Sequence, residues 1–390
     1  MAARPEQQPA RAASVAEAFL RGLKANGIDT VFANAGTDFA PIIEALTRLR
    51  GEPDAAPNFV TVPHENLAVA MAHGHYLASG KAAAVMVHVT VGTGNTVCAL
   101  MNAYRDRVPL ILMAGRTPHT EYGHIASRSF PIHWGQENFD QAGVVREYTK
   151  WDYELRAGQH PHDIVARALE VAFSEPKGPI YLTLPREVLA DPCATASRVA
   201  GPSLMAPPAP NAAEIGRAAE WIAAASMPVI VTTHLGRNPD AVAVLGQLAE
   251  RYAIPVVQSG APATNLPASH PLNTGQAGHA LLPEADCIVV VDSEVPWFPI
   301  RFTPKPGTRV IHLGTDPLHV RIPIRSFPAD LAIVGDSRQA LELLDDAIGA
   351  AGTEQAAIDA RRARVDDFNG ERHAAQQAML AKARDAKPIS

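Results

Sequence analysis

Glu65, in the run Val60-Thr61-Val62-Pro63-His64-Glu65-Asn66, has the clearest chemical potential in this chain. A β-branched run stopped by proline reads as a buried strand, and Glu65 to Ser79 reads as a helix closed by Gly80. A carboxylate is thereby placed where a strand end meets a helix start, the crevice in which open α/β sheets bind ligands. There it either caps its helix or handles protons, because burial raises a carboxylate's affinity for a proton. Two more post-strand loops carry compatible residues, Asn34-Ala35-Gly36-Thr37-Asp38 and Val91-Gly92-Thr93-Gly94-Asn95. In a parallel sheet such loops gather on one edge, so Gly36, Glu65, Gly92 and Asn95 are expected to share a pocket. Glycine there would let backbone approach a ligand closely. None of the loops is a dinucleotide fingerprint or a Walker phosphate loop, and Gly92-x-Gly94 alone reads as a tight turn.

The elements that must position these residues alternate between strand and helix. Ser14-x-x-Glu17 is a capping box, and Val15, Ala18, Phe19, Gly22 and Leu23 mark one face of the helix behind it, ended by Asn26-Gly27. Strands are predicted at 28–32, 59–62, 82–89, 110–114 and 180–184, with a helix at about 95–105 after the Gly92 turn. Residues 191–210 turn to proline, alanine and serine and read as a linker. A second alternating unit follows, with strands at 228–233, 254–258, 287–291 and 308–313 and helices at 240–252 and 337–348. The expected fold is therefore α/β, with two doubly wound parallel-sheet domains at 1–190 and 211–350. Residues 351–390 read as a polar helix without a core of its own. The cluster Arg361-Arg362-x-Arg364 in it, interspersed with acids, reads as a solvated face.

Composition narrows the class. The net charge is −6 and no dense basic stripe occurs, which argues against a nucleic-acid partner. No apolar run is long enough to span a bilayer, and Met1 to Glu6 does not open a signal peptide. Cys98, Cys193 and Cys287 lack metal-ligand spacing and read as buried thiols in a reducing cytoplasm. No metal-ligand set is expected, since His73 and His75, two apart on a helix, point in different directions.

Taken as an ordered set, several segments resemble the thiamine-diphosphate (ThDP) enzyme family, in particular its acetolactate synthase, benzoylformate decarboxylase and pyruvate oxidase group. The matching stretches are Val31-Phe32-x-x-x-Gly36, Pro41-Ile42, His64-Glu65, Ala70-Met71-Ala72, Ser79-Gly80-Lys81, Gly92-x-x-Asn95, Val108-Pro109-Leu110, Gln136-Glu137, Lys150, and Gly178 through Val188. Pro228-Val229-Ile230-Val231, Ile254-Pro255-Val256, His270-Pro271-Leu272, Asp316-Pro317 and Gly335-Asp336 continue the likeness, which covers about 12–350. The resemblance implies a pyrimidine-binding domain followed by a Rossmann-like central domain. It implies that Glu65 hydrogen-bonds N1′ of the cofactor's aminopyrimidine, favouring the imino form whose nitrogen takes the thiazolium C2 proton. The cofactor then serves as electron sink for a 2-oxo acid, in decarboxylation or carboligation of the acetolactate synthase type. Asn95 and Gln136 fall near the family's active site, or serve only as turn and surface hydrogen-bonding groups. Gly36 and Thr37 fall near the cofactor or substrate mouth, though Gly36 is equally explained by backbone angles alone. His64 either touches the pocket or packs.

The chain also departs from the family. It reads Val89-Thr90-Val91-Gly92 where Ser-Gly-Pro-Gly is usual and Ala35-Gly36 where Pro-Gly is usual, so substrate choice cannot be borrowed from one member. It has no Gly-Asp-Gly motif of the kind that holds Mg²⁺ and the diphosphate in the family's third domain, and Gly335-Asp336-Ser337 opens a helix instead. The expectation is that Mg²⁺ comes through an absent third domain or a partner chain, and that this polypeptide alone binds ThDP weakly and does not turn over. The expected assembly is a homodimer or tetramer, or a complex with a separate chain carrying the diphosphate-binding domain. The alternative is a noncatalytic structural or regulatory subunit, or a truncated relic, of a ThDP enzyme. A flavin in the central domain, present in some relatives, is left open.

Overall fold

The structure is a computed structural model that describes residues 14–193, 197, 200–260 and 263–385. It divides into two units, Met1–Ala206 and Pro207–Ser390.

The first unit is a parallel sheet of β1 (Thr30–Ala33), β2 (Asn58–Thr61), β3 (Ala84–Val87), β4 (Ile111–Arg116), β5 (Asp152–Glu154) and β6 (Ile180–Pro185), in the order β2-β1-β3-β4-β6-β5. The chain starts at β1, steps outward to β2, then returns to the other side of β1 as β3. That reversal is a topological switch point, the position at which ligands bind in open α/β sheets. Side chains alternate between two apolar clusters, as a strand period of two requires. Val31, Ala84, Met86, Ile111, Met113, Ile180 and Leu182 face one cluster with helix Val15–Ala25. Phe32, Val85, Val87, Leu112, Ala114 and Tyr181 face the other, with helices Glu65–Ser79 and Val97–Arg105. Ala33, Thr61, Met86 and Met113 stand in register near the carboxyl edge.

Helix Glu65–Ser79 has the predicted bounds, with His64 as N-cap and Gly80 left-handed at φ 70°. The expectation for the Gly92 segment was wrong. Val89–Asn95 is a helix that leaves β3 directly, and Val97–Arg105 follows it. Cys98 is exposed, contrary to the expected burial, whereas Cys193 and Cys287 are buried. β5 was missed because a three-residue run of Asp-Tyr-Glu carries no apolar pattern.

The second unit is again fully parallel: β7 (Pro228–Thr232), β8 (Val256–Gln258), β9 (Asn273–Gly275), β10 (Cys287–Val291), β11 (Arg309–Gly314) and β12 (Leu331–Val334), in the order β12-β11-β10-β7-β8-β9. β9 and β12 escaped prediction; β9 reads Asn-Thr-Gly and carries no apolar residue. Helices Ala212–Ala224, Pro239–Tyr252 and Ser337–Ala351 pack on this sheet in one core.

Helix Gln355–Asp385 corrects the reading of its basic cluster as solvated. Arg361 is 1% exposed and donates to the carbonyls of Tyr252, Ile222, Ala223 and Ala225. These carbonyls lie at the ends of helices Pro239–Tyr252 and Ala212–Ala224, where the last turn has no intrahelical donor. One guanidinium thus caps two helices at their negative ends. Val365 is buried beside it, and Ile358 and Phe368 pack on the same core. Arg361→Met should destabilise the protein by about 3 kcal/mol in urea titration, because buried carbonyls lose their donor. The neighbouring half-buried Arg362, which donates to Glu250 O at 2.6 Å, should cost less than Arg361 when changed to Ala, about 1 kcal/mol.

Candidate active site

Glu65 opens its helix and is 8% exposed. Its neighbours fix the turn: His64 Nδ1 accepts from the Asn66 amide at 3.1 Å, and Asn66 Oδ1 accepts from the Ala99 amide at 2.8 Å. The second bond ties the helix to Val97–Arg105. Asn95 Nδ2 donates to Glu65 Oε2 at 3.1 Å, so two of the predicted site residues meet. His64 Nδ1 lies 4.0 Å from the same oxygen, but the His64 side chain is 61% exposed and its ring serves as the helix cap. Among the described residues nothing donates to Glu65 Oε1. The carboxylate therefore has one oxygen committed to Asn95 and one free, at the positive end of a helix.

Beside it, across the switch point, Asp38 and His88 join the ends of β1 and β3. His88 Nδ1 lies 2.5 Å from Asp38 Oδ1, and the Val89 amide donates to Asp38 Oδ2 at 3.3 Å. Asp38 is 3% exposed, a buried acid that needs such partners. Two glycines make room for the pair. A Cβ on Gly36 would sit 2.0 Å from His88 Nδ1, and a Cβ on Gly115 would sit 1.9 Å from Asp38 Oδ2. Gly36 is extended at φ −143°, so space rather than backbone angle requires glycine there. Val89 takes φ 31°, an uncommon value for a β-branched residue, and Gly92 N donates to His88 O at 2.7 Å. That turn starts the helix immediately after the strand. Gly92 itself is buried, and a Cβ there would meet Val87 Cβ at 3.0 Å.

Hydrogen bonding to Asp38 pushes the pKa of His88 up from its ordinary 6.5 against the opposing effect of burial, helped by the charge of Asp38, by Gln136 and by the charge of Glu65. Gln136 Nε2 lies 3.2 Å from His88 Nε2, while Gln136 Oε1 is buried and unpartnered. As placed, the amide donates to a neutral ring; turned over, it would accept from the protonated one. Thr90 Oγ1 donates to Gln136 O at 3.1 Å and holds that residue in place. Thr37 opens the short 3-10 turn Thr37–Phe39, is exposed, and makes no side-chain hydrogen bond among the described residues. Glu137 is committed elsewhere. Burial would push its pKa up, but Thr117, the Asn138 amide, Arg116 and Arg128 together hold it below the ordinary 4.5.

The structure thus gathers Glu65, Asn95, Gly36 and Gln136 on one edge and adds His88 with Asp38, which sequence reasoning did not single out. The available signal was a histidine ending an apolar strand, with an aspartate in the turn after the neighbouring strand.

No group of three or more His, Cys, Asp or Glu side chains that could hold a metal occurs among the described residues, and no helix there is long and apolar enough to cross a membrane. At the carboxyl edge of the second sheet, the protein's own groups fill the turn after β7. Gly236 N donates to Asn265 Oδ1 at 2.7 Å, and a Cβ on Gly236 would sit 2.2 Å from Thr264 O. Thr233 and Ser293 hydroxyls, 2.7 Å apart, link that turn to the one after β10. The Gly236 amide is therefore not free for a flavin pyrophosphate.

Comparison with known proteins gives two family matches. The thiamine pyrophosphate enzyme N-terminal TPP binding domain matches residues 13–144, and the thiamine pyrophosphate enzyme central domain matches 215–344. A candidate 2-ketoarginine decarboxylase of Pseudomonas aeruginosa is 29% identical over 95% of this chain and 65% of its own length. The benzoylformate decarboxylase of the same species is 29% identical over 83% of this chain and 60% of its own. An acetolactate synthase large subunit of Mycobacterium tuberculosis is 27% identical over 82% and 51%. A solved structure from Mycobacterium smegmatis, described as a candidate thiamin diphosphate-dependent enzyme, aligns with TM-score 0.72 and 27% identity over 86% of this chain and 62% of that one. The chain thus spans from about half to just under two thirds of the length of these relatives.

Asp38→Asn should lower the pKa of His88, followed by NMR titration, because burial is then opposed only by Gln136 and the charge of Glu65. The folded pKa of His88 is raised, so its charge-assisted contact stabilises the fold fully below about pH 6.5 and fades as pH climbs through the folded value. The thermal stability advantage of the wild type over Asp38→Asn should accordingly be larger at about pH 6 than at about pH 9. Gly36→Ala should cost about 1–3 kcal/mol in denaturant titration, since the His88 ring must move.

Proposed function

The chain belongs to the thiamine-diphosphate enzyme family, carrying its N-terminal and central domains, and from that premise we propose that it acts on a 2-oxo acid. The proposed reaction is decarboxylation, or carboligation of the acetolactate synthase type, with Glu65 as the residue that holds the aminopyrimidine ring. The observation that carries this reading is the half-committed Glu65 carboxylate. One oxygen is fixed by Asn95, and the other faces no protein donor among the described residues, at a switch-point edge. An accessible acceptor on an otherwise largely buried carboxylate suits a ring nitrogen that shares a proton with it. When bound, thiamine diphosphate supplies the nucleophilic carbon and the electron sink.

The roles of the chain's own residues follow from their positions. Asn95 orients the Glu65 carboxylate and keeps Oε2 from swinging toward solvent. His88 holds a proton at its ring, kept available by Asp38 and steered by Gln136, on the same edge as Glu65. Such a group can give a proton to, or take one from, a substrate carbon or oxygen whose charge changes when carboxylate leaves. The names of two relatives, a candidate 2-ketoarginine decarboxylase and a benzoylformate decarboxylase, support a 2-oxo acid as substrate class.

A hard dication requires about six oxygen ligands, and the described residues include no acidic or histidine cluster to provide them. We therefore assign Mg²⁺ and the diphosphate to a diphosphate-binding domain outside the described residues or on a separate chain, and propose that the chain works as a dimer or tetramer or in complex with that separate chain.

The test is hydrogen–deuterium exchange at C2 of bound ThDP, read by NMR on the assembled protein with Mg²⁺. Glu65→Gln should slow it by about 10²- to 10⁴-fold. An unchanged rate would falsify the proton role. Failure of the wild-type assembly to accelerate exchange at all would favour a noncatalytic subunit.

A further inference from the structure

Tyr181, in β6, is fully buried on the face of the sheet that carries helix Glu65–Ser79. Its hydroxyl oxygen lies 2.9 Å from Gln141 Nε2 and 2.9 Å from Thr93 Oγ1. The direction of these bonds is forced. An amide nitrogen only donates, so Tyr181 accepts from Gln141, whose Nε2 also donates to Gly115 O at 2.8 Å. Thr93 gives its one hydroxyl proton to Val89 O at 2.7 Å. Thr93 Oγ1 must therefore accept from Tyr181. Burial pushes the pKa of the phenol up from its ordinary 10.0, so the hydroxyl keeps the proton this requires.

The relay ends on the residue under most backbone strain at this edge. Val89 sits at φ 31°, its amide held by Asp38 Oδ2 and its carbonyl by Thr93. His88 precedes it, and the short helix that delivers Asn95 to Glu65 begins with it. The loop side of the relay reaches the same place, because the one hydroxyl proton of Thr90 lies between Gln136 O at 3.1 Å and Gln141 Oε1 at 3.4 Å.

We propose that Tyr181 is a positioning residue. By holding the Val89 carbonyl through Thr93, its hydroxyl fixes the His88 ring against Asp38 and sets the turn that carries Asn95 to Glu65. The assignment rests on reading this edge as the active site, but its consequence is a property of the chain without cofactor. Phenylalanine would fill the same volume and leave Gln141 and Thr93 each short of one buried partner.

The test uses Tyr181→Phe in the full chain, with the His88 titration followed by NMR and amide exchange followed over residues 89–95. The charged groups in electrostatic reach of His88 are Asp38, Glu65 and, when protonated, His133. With Asp38 displaced, the pKa of His88 should fall by about half a unit or more. Amides of residues 92–95 should exchange about tenfold faster, with the amides of β1 unchanged. A variant that melts earlier yet keeps the wild-type His88 titration and wild-type local exchange would make Tyr181 a packing residue only and overturn the proposal. Should Tyr181→Phe not fold, Thr93→Val cuts the relay from its other side and Thr93→Ser restores the hydroxyl. A wild-type His88 titration in Thr93→Val, or a failure of Thr93→Ser to recover it, overturns the proposal equally. Calorimetry with ThDP on the wild-type assembly tests the cofactor separately: no binding there removes the proposed function and leaves the relay standing.

Discussion

The contact between Asp38 and His88 sets the terms for everything built at the carboxyl edge of the first sheet. An acid buried to this degree must be paired, and its partner has to come from the neighbouring strand because the sheet closes it in on the other sides. The pairing requires glycine at both flanking positions, Gly36 and Gly115, and it draws the Val89 amide inward, so the chain turns into helix as soon as β3 ends. A longer loop at that point would carry Asn95 away from Glu65. The positive φ at Val89 is held by hydrogen bonds on both of its polar atoms, which is how strain persists at a site whose surroundings over-determine it. One polar pair thus determines which side chains reach the switch point and which remain in the core.

Much of this was legible from residues alone, and the limits of legibility have physical causes. Helix Glu65–Ser79 was readable to the residue because proline precedes it and a left-handed glycine follows it, both local signals. The strand Cys287–Val291 was equally clear from its unbroken β-branched run. His88 and Asp38 were not, since they lie 50 residues apart and become partners only through the register of β1 with β3. The Gly92 segment was misread as a loop because glycine usually breaks helices. Here the start is imposed by the Asp38 contact rather than by propensity. Arg361 shows the same limit from the other side. Its pattern with nearby acids is that of a solvated face, and only the meeting of two helix ends at one place reveals why a charge is buried there.

The site offers one side of a reaction centre. Its groups suit a flat heterocycle with a ring nitrogen to share a proton, and a substrate whose charge changes beside an imidazole. Among the described residues it holds no cluster of three or more His, Cys, Asp or Glu side chains for a dication. The chain spans only part of the length of its relatives, and under the proposed function a diphosphate-binding domain would complete the site.

The nitrogen-15 chemical shift of N1′, in ThDP labelled at that atom and bound to the assembled protein with Mg²⁺, reports most directly on whether Glu65 meets the ring. The account predicts a displacement of that resonance from its free position in the wild type, abolished by Glu65→Ala at equal cofactor occupancy. A resonance at the same position in both proteins would contradict it.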